Sequence, residues 1–123
     1  MKAEIHAKNS VKRYGGVVED YLPLHKFMDQ ARHELGDVRH RLITHNTWFI
    51  RIAEQILGEY VKIGNDVDRV PVRLILEDHV REDMGGRLPT LEENFRSITP
   101  EAVAGDVGVF DAILRLAKRS EHE

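Results

Sequence analysis

Apolar residues recur at helical spacing in successive stretches of this chain, and that period constrains the fold more than any other feature. In residues 72–84, Val72, Ile75, Leu76 and Val80 share one side of a helix, and Gly85-Gly86 can close it. Residues 23–35 put Leu24, Phe27, Met28, Ala31 and Leu35 on a second stripe. Pro23 suits a first turn there, and Gly36 a left-handed end. Residues 37–57 read as the longest helix, with Asp37 as its cap and Leu42, Phe49, Ile50, Ala53, Ile56 and Leu57 on one side. Thr90-Leu91-Glu92-Glu93 has the S/T-x-x-E pattern of a capping box, starting a short helix through Ile98. Residues 106–119 read as a last helix that buries Val109, Phe110, Ile113, Leu114 and Leu116.

Two stretches break the period. Residues 1–20 hold no steady repeat and contain Gly15-Gly16, so an irregular arm is expected, packed through Ile5, Val11, Tyr14 and Val17. Residues 60–63 and 67–72 flank Gly64-Asn65-Asp66, a hairpin signal whose second strand Pro71 keeps short. The expected fold is mainly α: one compact helical domain over residues 1–123, with four to five helices and one small β-hairpin.

With 123 residues there is length for one domain and a real core. No stretch approaches the ~20 apolar residues of a membrane span, and the start of the chain lacks a signal-like apolar run. Cysteine is absent, which removes disulfides, thiol catalysis and Cys-type zinc sites. A cytoplasmic, soluble protein is expected. Its 18 basic and 21 acidic side chains are spread evenly: residues 1–61 carry nine Lys/Arg against eight Asp/Glu. That pattern lacks the basic surface that phosphate-backbone binding needs, so nucleic acid is not the expected partner.

The chemistry-bearing residues are the seven histidines and the carboxylates near them. His79 falls inside the stripe of Ile75, Leu76 and Val80, and Glu82 and Asp83 follow at i+3 and i+4. A histidine and a carboxylate one helical turn apart can ligate one metal, as in helical-bundle sites. His25 and Asp29 repeat that spacing, and His40 follows Asp37 by one turn. His45 reads as the far border of the long helix, near Phe49, and His6 lies in the arm. The candidate ligands are therefore His25, Asp29, His40, His79, Glu82 and Asp83. Imidazole with carboxylate suits zinc, manganese or iron, and an open position on such an ion could activate water for hydrolysis. A carboxylate left off the metal would then serve as base, and Arg39 or Arg41 would stabilise an anion.

Other sites are excluded. The chain has no P-loop or Gly-x-Gly-x-x-Gly fingerprint, so no nucleotide cofactor of those kinds is expected. It also has no His-Glu-x-x-His helix, no Gly-x-Ser-x-Gly elbow and no His-Asp dipeptide of the HD-domain kind. Asn65-Asp66-Val67-Asp68 lacks the glycine and the glutamate of a calcium loop.

Several segments together resemble a family of small bacterial and phage proteins classed as a domain of unknown function. They are His6-Ala7, Gly15-Gly16 with Glu19-Asp20-Tyr21, His25 with Asp29, and Asp37-x-Arg39-His40-Arg41 with His45. They continue through Glu54-Gln55, Val70-Pro71-Val72-Arg73, His79-Val80-x-Glu82-Asp83-x-Gly85 and Pro89-Thr90. The resemblance covers residues 6–98 and leaves 99–123 as a helical extension; it implies no reaction.

Two functions follow. The first is a divalent-metal site between helices. The second is a metal-free helical module, binding a protein partner or a second copy, in which the same side chains form a buried polar network.

Overall fold

The computed structural model describes residues 1–35, 38–64 and 68–98; the expected helix over 106–119 and the cap at Asp37 lie outside them. Among the described residues the chain is mostly helical, with one two-stranded hairpin.

Where an arm was expected, two helices stand instead. Helix α1 (Ala3–Tyr14) ends at Gly15, whose φ of 85° only glycine takes freely and whose N–H donates to Val11 O. Gly16 is held by space as well. A Cβ there would lie 2.6 Å from Asp20 Oδ2 and 3.1 Å from Ile63 Cβ. Helix α2 (Val18–Met28) therefore begins five residues before Pro23, with the Asp20 carboxylate accepting from the Val17 N–H. The two helices form an antiparallel hairpin, tied at its turn by Tyr21 Oη–H donating to Gly15 O. The buried residues of α1 are His6, Ala7 and Ser10. Their spacing is helical, but only one of them is apolar, so hydropathy misses the stripe.

The expected helices over 23–35 and 37–57 are both interrupted. After α2 comes α3 (Arg32–Leu35), then a 3-10 turn (Val38–His40), α4 (Arg41–Thr44) and α5 (Thr47–Leu57). The break at His45-Asn46 has a local cause. Buried Asn46 takes an extended conformation and caps α5, its Oδ1 accepting from Phe49 N at 2.8 Å, while its Nδ2 donates to Ile43 O at 2.7 Å. Helix α7 (Leu91–Arg96) secures the break from outside. It starts at the expected Thr90–Glu93 cap, and Asn94 Nδ2 donates to His45 O at 3.0 Å and Leu42 O at 3.3 Å. Ile56 turns out to be exposed, because the register after Asn46 directs Ile50 and Ala53 inward instead.

Strands β1 (Tyr60–Ile63) and β2 (Asp68–Pro71) pair antiparallel, Tyr60 opposite Pro71 and Ile63 opposite Asp68. Helix α6 (Val72–Asp83) follows directly and packs against α1, α2 and α5. Val72, Ile75, Leu76 and Val80 are all buried, as their spacing requires, with Tyr21, Met28 and Ile50 around them. Each such side chain contributes about 1.5–3 kcal/mol relative to exposure. His79 sits in this same stripe with no exposed surface, so the apolar packing of α6 fixes where its ring goes.

Candidate metal centre

Five buried histidines meet where α1, α2 and α6 approach the break before α5: His6, His25, His40, His45 and His79. Asp29, just past the end of α2, and Asp83, at the end of α6, join them.

His79 divides the cluster in two. His25 stands off its Nδ1, at 2.9 Å between the two Nδ1 atoms, and His6 stacks on its face at 3.8 Å between ring centroids. Ring planes here lie within 18–26° of parallel. An imidazole lone pair lies in its ring plane, so the His6 ring, lying over the face of His79, does not aim its nitrogens where those of His79 point, whereas His25 and His79 meet edge to edge, Nδ1 toward Nδ1. On the Nε2 side the His45 ring is tilted by 62°. Here His79 Nε2 lies 3.1 Å from His45 Nε2, 3.2 Å from Asp29 Oδ1 and 3.4 Å from Asp83 Oδ2. His45 Nε2 lies 2.8 Å from Asp83 Oδ2 and 3.8 Å from Asp29 Oδ1. Bonds of 2.0–2.1 Å to a tetrahedral ion would separate its ligands by about 3.3–3.4 Å. The observed separations straddle that value.

The far side of each ring shapes this set. Ser10 Oγ–H donates to His6 O at 3.2 Å, back along its own helix, and Thr44 Oγ1–H donates to His40 O at 3.1 Å in the same way. With those hydroxyl protons committed, Ser10 Oγ accepts from His25 Nε2–H at 2.8 Å and Thr44 Oγ1 from His45 Nδ1–H at 3.0 Å. Burial, with His79 and His6 close by, pushes His25 down to about 3. Burial likewise lowers His45 to about 4, its bond and charge contact with Asp83 only partly opposing. Both rings are neutral at pH 7, so His25 Nδ1 accepts from His79 Nδ1–H. His79 is lowered too, chiefly by burial. With the proton of each ring on Nδ1, the Nε2 atoms of His79 and His45 would turn their lone pairs to the two carboxylates, an arrangement that a cation would hold together. Burial alone would raise Asp29 and Asp83, but the histidines around them outweigh it and hold both below the ordinary carboxylate range.

The remaining groups surround this set. His40 Nε2 is 3.3 Å from Asp29 Oδ1. His6 lies with Nδ1 2.8 Å from Glu82 Oε1 and Nε2 3.2 Å from Asp83 Oδ1, the latter at an angle too poor for a hydrogen bond. Burial would lower His6, but the carboxylates of Asp83 and Glu82 beside it raise it above its usual value. The terminal amine of Met1 and the Arg41 guanidinium also reach Asp83 Oδ1, at 3.2 and 3.4 Å. Glu82 is occupied by His6, Asn9 and Arg13, at 2.5 Å from the last.

The domain-of-unknown-function family DUF6915 matches residues 1–103. The chain belongs to this family. Comparison with the curated proteins gave no match, nor did comparison with the solved structures. For this DUF6915 chain the functional reading therefore rests on the cluster itself.

Of the six sequence candidates, His25, Asp29, His40, His79 and Asp83 stand within one cluster, and Glu82 borders it through His6. Two members were not among them. His6 was hidden because α1 carries few apolar residues; its signal is the spacing of His6 and Ser10, one turn apart. Hydropathy puts His45 mid-helix; its signal is Asn46, a strong helix-capping type immediately after it.

Proposed function

We propose that this chain is a metal-binding domain in which Asp29, His45, His79 and Asp83 hold one divalent first-row cation, zinc being the best fit. One observation supports it: ligand-type atoms of Asp29 after α2, His45 after α4, and His79 and Asp83 on α6 lie within 4.8 Å of one another, at separations of 2.8–3.8 Å that bracket the tetrahedral value. Two imidazoles and two carboxylates suit zinc, manganese or iron alike. The tight spacing and four protein donors favour zinc in a closed site over an open hydrolytic one, so stabilisation of the fold is the role proposed. His25 then orients His79 through its other ring nitrogen, and His40 steadies Asp29, the usual work of groups behind a ligand.

The metal-free reading keeps a proton on His45 Nε2, shared between Asp83 and His79. It requires the Thr44 hydroxyl to turn from His40 O to His45 Nδ1. Thermal melts of tag-free protein in chelator and in zinc decide between the two. A cation at a hundredfold excess over Kd should add about 2.7 kcal/mol, and Asp83→Asn should abolish that gain. Superimposable melts for the wild type would leave the polar network as the function of these residues.

A further inference from the structure

A cleft of about 250 Å³ lies beside the cluster, between α4, the turn after α6, and α7. Its charged lining is Arg41, Arg87 and Glu93, and Leu42, Met84 and Pro89 give it an apolar wall. The two guanidiniums are under-used. Arg41 reaches Asp83 O and Oδ1 only at 3.3 and 3.4 Å, and its buried Nε has no hydrogen-bond partner. Arg87 donates from Nε to Met84 O at 3.4 Å, and its terminal nitrogens have no partner among the described residues. Glu93, by contrast, is engaged by the Thr90 hydroxyl and by its own helix start. The lining thus carries two guanidiniums against one carboxylate, with the Arg41 Nε and the terminal nitrogens of Arg87 left to donate, a chemistry that recognises oxyanions.

We propose that this cleft binds a small oxyanion, a phosphate or a carboxylate, between Arg41 and Arg87. The apolar wall of Leu42, Met84 and Pro89 would take the organic remainder of such a ligand. Arg41 touches the same carboxylate that is proposed to hold the cation, so the anion would sit one side chain away from the metal. The cleft does not depend on the metal, however, and neither reading falls with the other.

The test is calorimetric titration of chelator-treated full-length protein with inorganic phosphate, and separately with acetate. Saturable binding of either anion is expected, weakened about tenfold or more in Arg87→Gln and in Arg41→Gln, with circular dichroism confirming that the variants fold. Preference for phosphate or for acetate identifies the anion. Zinc binding measured on Arg87→Gln should be unchanged, because Arg87 touches no proposed ligand. Absence of saturable binding by both anions would overturn the proposal, as would affinity indifferent to Arg87→Gln.

Discussion

The two sides of the His79 ring hold similar residues and do different things. Away from Nε2, His6 stacks on the face of the ring and His25 meets its edge in one nitrogen-to-nitrogen hydrogen bond. On the Nε2 side, the tilt of His45 and the placing of Asp29 and Asp83 aim four atoms at one space. Closeness of ligand-type atoms is common to both sides; two carboxylates facing His79 belong to one. Ring orientation, set by the hydroxyls of Ser10 and Thr44 and by the packing of α6, makes the difference.

His79→Ala removes the residue shared by both sides and should have the largest effect. It should abolish the zinc-dependent gain in melting and, in chelator, still cost about 1–3 kcal/mol by stranding buried partners. A loss within about half a kcal/mol in chelator, typical of surface positions, would contradict its place at the centre. Asp83→Asn and His25→Gln then separate the two sides. Asp83→Asn should eliminate zinc binding, whereas His25→Gln should weaken it by only about 10- to 100-fold, as for a group behind a ligand. Zinc titrations that rank the two variants the other way would move the ion to the stacked side.

Acid should act on both sides in metal-free protein. His25 and His45 have folded values of about 3 and 4, well below the 6.5 of the unfolded chain. Below pH 6.5 the unfolded state takes up protons that the folded state refuses, so stability falls with acidity. The slope is about 1.4 kcal/mol per pH unit for each group, until the folded values are reached. His6 opposes this, since its raised value favours the folded state below 6.5 and that contribution fades as pH rises through the folded value. With His79 also lowered, the net direction is loss. Urea unfolding from pH 7.5 to 5 should show it, and stability rising on acidification would contradict the neutral imidazoles. The smallest effect is expected for Ser10→Ala, about 1 kcal/mol, because His25 loses one partner while the convergent side is untouched.

Much of this was legible in the sequence, for physical reasons that differ by element. The apolar stripe of α6 located His79, and turn spacing linked His25 to Asp29 and His79 to Asp83. The capping box at Thr90 and the hairpin at Gly64 are local signals, and both elements form where expected. Helix α1 was not legible because it buries histidine and serine, which no hydropathy period registers. The break before α5 is masked in the sequence because Leu42 and Phe49 keep a helical period across it, while Asn46 stops the helix between them. His45 became a member of the site through that break alone.

The most direct measurement is X-ray absorption at the metal edge of zinc-loaded protein. The account predicts a four-coordinate ion with two imidazole nitrogens and two carboxylate oxygens at about 2.0–2.1 Å. Three imidazoles in the first shell, or an ion surrounded by water, would contradict it.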